Sequence, residues 1–240
     1  METTNLLLIG VLVFLALCVV NGYRKGFLKI ALSMAALAAT IVIVAILNPY
    51  VSKFLMENTG LYETLHESTT EFVMEIFETQ VDIPINTRTD EVFAIDHLTL
   101  PKAIREQLIE DNNSVVYEAL GVSEFEEYLS GYLACMILNA ISFIGTLIIA
   151  GFLVKVVFVM ADIIEKVPGI KGMNKLAGML LGFLQGIVII WIGCLVVTAF
   201  GATKTGQEIL AMIQDSVLLS FIYNNNCLLL LVGNIIKILL

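Results

Sequence analysis

The sequence predicts an all-α integral membrane protein with four transmembrane helices, a broken hydrophobic helix at the C-terminus and an acidic helical insert outside the membrane. Three observations predict this fold class. The 240 residues are 58% hydrophobic and 15% charged, whereas soluble chains are about 45–50% apolar and about 25% charged. Four apolar runs are long enough to cross a bilayer. Of the 22 acidic residues, 17 lie between residues 50 and 130.

The first two apolar runs predict a transmembrane hairpin over residues 1–49. A helix needs about 20 apolar residues to cross a hydrocarbon layer ~30 Å thick. The runs cover residues 5–20 and 27–47. We expect Asn48-Pro49 to end the second helix, because proline cannot continue one. The residues that make the tip of the hairpin and fix its side of the membrane are Gly22, Tyr23, Arg24, Lys25, Gly26 and Lys29.

Residues 50–130 form the predicted insert. They contain 17 acidic residues against four basic ones, a local net charge of −13 in a chain of −9. In "ETLHESTTEFVMEIFETQ" the apolar residues recur on one side and the glutamates on another, which indicates an amphipathic helix. We expect a small helical region that meets the membrane surface or an unidentified extracytoplasmic protein.

The third and fourth spans predict a second hairpin, residues 131–202, with helices within 133–160 and over about 176–200. Gly178, Gly182 and Gly186 repeat every four residues along the fourth helix, as in a glycine zipper. This spacing puts three positions without side chains on one face, where another backbone can come close. Three uses remain open: packing inside the chain, formation of a homo-oligomer, and lining of a path.

The C-terminal segment, residues 203–240, is hydrophobic but interrupted by Asn224, Asn225 and Asn226. A single span would put three carboxamides near the middle of the bilayer, where unpaired polar groups are costly. We therefore predict two shorter helices that meet at the asparagines and are interfacial or re-entrant. A fifth span is the alternative.

The orientation follows from basic residues near the ends of the spans, which favour the cytoplasm. The first and third links carry seven of them, Arg24, Lys25, Lys29, Lys155, Lys166, Lys171 and Lys175. The opposite side has Lys53 and Lys204. We expect the first and third links in the cytoplasm, and the N-terminus and residues 50–130 outside.

The sequence carries no motif for catalysis. It has no HExxH, GxSxG or P-loop pattern, and its four cysteines are isolated in apolar stretches. We predict a non-enzymatic protein without cofactor or metal, and its negative charge argues against nucleic acid. Asn139 and Gln185 are polar residues inside the predicted spans. They are candidates either for hydrogen bonds between helices or for lining a path.

Two stretches carry a family resemblance. A first span followed by Gly22-Tyr23-Arg24 and Gly26, together with a last span opened by Asn174, Gly178 and Gly182, resembles the colicin V production protein (CvpA) family of bacterial inner-membrane proteins. The resemblance covers residues 1–48 and 131–205. It implies a multi-pass protein of the inner membrane with a role in bacteriocin (colicin V-type toxin) production or in envelope homeostasis. It implies no reaction and no catalytic residue.

Two functions therefore remain open. The first is a membrane factor that acts through helix packing and contacts with partners. The second is a small transporter or channel, with Asn139, Gln185 and the asparagine run along a path. A crevice that reaches these residues favours transport, whereas a closed bundle favours the first function.

Overall fold

A computed structural model of the protein describes residues 6–80, 85, 87–98, 100–160 and 173–233. Within these residues the chain forms eleven α-helices and no β-strand. In chain order they are α1 (Leu6–Lys25), α2 (Phe27–Asn58), α3 (Leu61–Gln80), α4 (Arg88–His97), α5 (Lys102–Glu110), α6 (Ser114–Leu120), α7 (Phe125–Met160), α8 (Met173–Ala199), α9 (Lys204–Gln214), α10 (Val217–Asn224) and α11 (Cys227–Gly233).

Four helices in the described part of the chain, α1, α2, α7 and α8, are long and apolar enough to cross a membrane. They have 20, 32, 36 and 27 residues. The predicted all-α membrane protein with four transmembrane helices is therefore confirmed. The physical reason is local: a backbone in hydrocarbon must satisfy its own hydrogen bonds, and a helix does so within one segment.

The chain divides into two compact units. The first comprises Met1–Leu47 and Ile144–Gly193, and the second comprises Asn48–Phe143 and Cys194–Leu240. The domain boundaries predicted after residues 49, 130 and 202 describe topology in the membrane, and they stay a prediction.

In the first unit, α8 runs antiparallel to α1. Its beginning lies beside Gly26, at the end of α1, and Gly186 lies beside Leu15 of α1. The connection from α1 to α2 is Gly26 alone, with a φ of 77°. This left-handed backbone suits glycine, because a Cβ would crowd the carbonyl that follows. The sequence predicted a tip over residues 21–26, between the two apolar runs, but α1 continues to Lys25.

The expected end of α2 at Asn48-Pro49 is wrong, since the helix continues through Pro49 to Asn58. Pro49 lacks the N–H that would reach the carbonyl of Ala45, so the helix loses one internal hydrogen bond. In the second unit, the side chains of Asn48 and Ser52 both donate to the amide oxygen of Asn139. Because these bonds hold the residues on either side of Pro49 in helical register, the helix extends beyond it.

The insert is helical, as predicted, and consists of α3 to α6 after the end of α2. Phe72, Val73 and Ile76 of α3 are buried, which is the apolar face expected from the sequence. The sequence pattern did not predict α4 or α6. Thr87 opens α4 in a capping box with Asp90, in which each side chain accepts the other's backbone N–H. These short helices have too few periodic residues for a sequence pattern.

The C-terminal hydrophobic segment is broken, as predicted, into α10 and α11. The break lies at Asn225 and Asn226. No described residue beyond α8 belongs to a helix long enough to span the membrane. Whether this segment is interfacial or re-entrant stays a prediction, and residues 234–240, which hold the C-terminus, lie outside the described residues.

Candidate functional site

The three glycines of the α8 stripe face α1 within the first unit. A Cβ atom added at Gly178 would lie 2.5 Å from the carbonyl oxygen of Gly22, and one added at Gly182 would lie 2.5 Å from that of Cys18. At Gly186 the nearest atom is a side-chain carbon of Leu15, at 3.0 Å. The two backbones therefore approach more closely than any residue with a side chain permits.

The close approach is reciprocal, because α1 also contributes a glycine. A Cβ added at Gly22 would collide with the carbonyl group of Gly178 and lie 3.1 Å from the Cα atom of Gly182. Three uses were left open for the stripe, and in the structure the stripe packs against another helix of the same chain. A second copy could use this face only if α1 left it.

Asn174 joins the stripe to the hairpin. Its Oδ1 atom accepts the backbone N–H of Leu28, at 3.4 Å, in the first turn of α2. A Cβ added at Gly26 would lie 2.8 Å from the Nδ2 atom of Asn174. The asparagine thus fills the space beside the chain reversal and satisfies one of the free N–H groups at the start of α2.

Tyr23 and Lys175 add a further link at the same place. The Nζ atom of Lys175 lies 5.0 Å from the centre of the Tyr23 ring, within the range of a cation–π interaction. We call the whole set the hairpin contact, and it consists of Gly22, Tyr23, Gly26, Asn174, Lys175, Gly178 and Gly182. The two sequence motifs that carry the family resemblance are therefore one packing site.

The basic residues of the hairpin are exposed at the same end of α1 and α2. Arg24, Lys25 and Lys29 all have exposed side chains. Lys166 and Lys171, which the sequence analysis also uses for orientation, lie outside the described residues. Gln185 bonds within the first unit, where its Nε2 atom donates to the Oγ atom of Ser33 on α2, at 3.1 Å.

Asn139 is the centre of a buried polar cluster in the second unit. It is 2% exposed. Its Oδ1 atom accepts hydrogen bonds from the amide of Asn48 and, at 2.9 Å, from the hydroxyl of Ser52. Its Nδ2 atom donates to the carbonyl of Val232 near the end of α11. The cluster therefore joins α2, α7 and α11.

The sequence pattern did not predict a role for Asn48 and Ser52 in this cluster. A signal for them exists: two polar residues four positions apart lie on one face of a helix, at the end of an apolar run. The expected helix end at Pro49 concealed it, because Ser52 then belonged to the insert.

Two residues of the asparagine run cap the N-termini of helices. Asn224 accepts, through Oδ1, the backbone N–H of Ala103 at 3.0 Å. That bond caps α5, whose own N-cap, Pro101, provides no side-chain bond. Asn226 is buried and accepts the N–H of Leu228 at 2.9 Å, which caps α11. Asn225 is exposed and donates to the carbonyl of Phe221.

Buried tyrosines of α7 form another group that the sequence analysis missed. The hydroxyl of Tyr132 donates to the carboxylate of Asp111 at 2.7 Å and also lies 3.1 Å from the carbonyl oxygen of Gly233. The hydroxyl of Tyr128 donates to the carbonyl of Leu108 at 2.7 Å. Together they hold the insert and α11 to α7. Nothing in the local sequence distinguishes these tyrosines from ordinary apolar positions.

The described residues contain no group of three or more histidines, cysteines or acids that could hold a metal ion. The cysteines Cys18, Cys135, Cys194 and Cys227 are free. Asn139, Gln185 and Asn224 make hydrogen bonds that join one helix to another. The hydroxyls of Ser142 and Thr146 are buried without a hydrogen-bond partner among the described residues.

Residues 114–226 match the family described as Colicin V production protein. The matched range includes Asn139, Asn174, the glycine stripe and the asparagine run, and it begins after the hairpin of α1 and α2. The family resemblance found in the sequence is confirmed over this range. No curated protein and no solved structure matches the chain.

Proposed function

We propose that the chain, whose residues 114–226 match the Colicin V production protein family, is a non-enzymatic protein of the bacterial inner membrane. We propose further that it supports the production of a colicin V-type bacteriocin or the homeostasis of the envelope. It acts by contacts. The hairpin contact holds the membrane helices together, and the acidic insert binds an extracytoplasmic protein.

One observation carries the proposal: the five polar residues expected along a path are all hydrogen-bonded within the chain. Asn139 is buried and bonded through both its amide atoms, and Gln185 is bonded to Ser33. Asn224 and Asn226 cap helices. A transport path needs polar groups that can exchange their partners for water or substrate. The bonding of these residues therefore supports a contact role over a transporter.

The partner surface that we assign is a row of acids on α3. Glu63, Glu67, Glu71 and Glu75 recur every four residues and have exposed side chains. Like charges at this spacing destabilise a helix by a few tenths of a kcal/mol per pair. A basic partner surface would reverse that cost.

A homo-oligomer would instead use another face of α8, where Leu176, Leu180 and Leu184 are exposed.

The proposed function is tested by release of the bacteriocin from a strain that lacks this chain and carries the toxin genes. We expect the wild-type chain to restore release. A variant with Glu63→Gln, Glu67→Gln and Glu71→Gln should reduce release by at least roughly threefold. Exposed ion pairs contribute about 0.2–1 kcal/mol each, so three of them sum to about 0.6–3 kcal/mol. Release is measured as growth inhibition of a sensitive strain, with envelope leakage followed in parallel.

The matched control carries Glu118→Gln, Glu124→Gln and Glu126→Gln, which remove the same charge from other exposed positions of the insert. It should behave like wild type. Equal loss in both variants would refute the partner surface on α3. Unchanged toxin release and an intact envelope in the strain without the chain would refute the proposed function.

The orientation that we propose puts Arg24 in the cytoplasm and the insert outside, because basic residues near span ends stay inside. In a variant without native cysteines, we expect an impermeant thiol reagent to label Thr89→Cys in intact cells and Arg24→Cys only after lysis. Thr89 is exposed, and its use spares Asp90, which closes the capping box of α4. Labelling of Arg24→Cys alone in intact cells would reverse the orientation.

A further inference from the structure

A cavity of about 620 Å³ lies between α2 and α7 in the first unit. At one end the helices are in contact, since a Cβ added at Gly151 would lie 3.8 Å from the Cγ2 atom of Thr40. At the other end the cavity is lined by Lys25, Lys29 and Lys155. Its volume lies within the range of ~300–1,000 Å³ that is typical of small-molecule sites.

The lining has a charged end and apolar walls. Leu32, Leu147 and Val154 belong to the walls. Of the two hydroxyls of the lining, Thr40 donates to the carbonyl of Ala36, whereas Ser33 accepts from Gln185 and keeps its own O–H as a donor. The lysines are therefore the charged groups of the lining that are available to an anion, and the hydroxyl of Ser33 is a further donor.

The three lysines lack a counter-charge in the described part of the chain. The ion pairs found there join Lys102 to Glu106 and Arg105 to Asp96, all in other elements. No acid is among the residues that line the cavity. Three ammonium groups around one cavity repel each other, and an anion between them would relieve that repulsion.

The position of the lysines indicates the class of anion. Lys25 ends α1, Lys29 lies in the first turn of α2, and the apolar course of both helices begins beside them. The lysines therefore lie at the depth of the lipid headgroups, while the walls lie at the depth of the acyl chains. Basic pockets between transmembrane helices on the cytoplasmic side suit anionic headgroups.

We propose that this cavity binds one anionic phospholipid, with its phosphate between Lys25, Lys29 and Lys155 and an acyl chain along the apolar walls. Inorganic phosphate would use the lysines but leave the walls without a role. The bound lipid would join α2 to α7 on the basic side of their contact at Thr40 and Gly151. This inference uses the proposed orientation, which puts the lysines on the cytoplasmic side, but it does not depend on the proposed partner of the insert or on the proposed role in bacteriocin production.

The test is a titration of the purified full-length chain in neutral detergent, followed by native mass spectrometry. The probes are phosphatidylglycerol, phosphatidylcholine with the same acyl chains, and glycerol phosphate as the free headgroup. We expect phosphatidylglycerol to bind about 10- to 100-fold more tightly than phosphatidylcholine. Each of the three lysines attracts the net negative charge of the phosphatidylglycerol headgroup, and the zwitterionic phosphatidylcholine headgroup has no such net charge. Glycerol phosphate should compete poorly.

Two variants make the test decisive. Lys25→Gln, Lys29→Gln and Lys155→Gln together should abolish the preference for phosphatidylglycerol. Lys53→Gln, Lys102→Gln and Lys204→Gln together, at exposed lysines outside the cavity, should retain it.

Ala36→Phe keeps the charge but fills the cavity, and it should weaken the binding of both lipids; it decides the question if the first variant does not fold. The proposal is overturned if the first variant keeps its preference, if Ala36→Phe binds like wild type, or if glycerol phosphate competes as well as the lipid.

Discussion

Replacing Gly182 with leucine is expected to force α1 away from α8 and to lower the free energy of unfolding of the protein by at least about 1–3 kcal/mol, the usual cost of overpacking. The loss should lie at or above the upper end of this range. The first atom of any side chain at this position would already lie 2.5 Å from the carbonyl oxygen of Cys18. A backbone atom cannot rotate away as the end of a flexible side chain can.

Chemical or thermal unfolding in detergent measures this loss. Gly193→Leu is the matched control, because it lies on the same helix and a Cβ there meets no atom within 4 Å. Leu181→Ala is a second control, and it should be mild, since Leu181 is only half-buried. If Gly182→Leu unfolds at the same denaturant concentration as Gly193→Leu, the stripe does not hold α1 in solution.

The second large effect is expected from Asn139→Leu. The change removes the partner of the Asn48 amide, of the Ser52 hydroxyl and of the Val232 carbonyl, all in one step. Each buried polar group that loses its partner costs about 1–3 kcal/mol. We expect a loss of at least that size in the free energy of unfolding, together with weaker attachment of α11.

Unfolding in detergent again provides the measurement, and protection of α11 from proteolysis reports its attachment. Asn225→Leu is the matched control, because this asparagine is exposed and bonds only within its own helix turn. A cycle with Asn48→Leu isolates the pair. Hydrogen bonds between membrane helices show coupling of about 0.6–1.7 kcal/mol, and a coupling of zero would mean that the pair is not formed.

Both predictions concern contacts between distant parts of the chain. The hairpin contact joins residues 22–28 to residues 174–182, and the polar cluster joins residues 48–52 to Asn139 and Val232. The first is a match of shapes without side chains, whereas the second is a match of hydrogen-bond donors and acceptors. Loss of either contact should therefore destabilise its own unit first. Limited proteolysis can show which of the two units is cleaved first.

The sequence by itself determined the class of the protein and its four spans. A run of about 20 apolar residues crosses a bilayer wherever it stands in the chain, because the thickness of the hydrocarbon and the rise of a helix set its length. The break between α10 and α11 was equally local, since Asn226 caps the helix that follows it. The period of four in the glycines was visible in the sequence, but the helix that they face was not.

Only the tertiary structure decided which helices and side chains contact each other. It showed that α8 packs its glycines on α1, that Asn224 caps α5 from another segment, and that α2 passes through Pro49. Local rules end the helix at that proline, and the bonds of Asn48 and Ser52 to Asn139 outweigh them. The reason is physical: hydropathy and helix length are properties of one segment, whereas the free energy of a contact depends on two surfaces that meet only after the chain has folded.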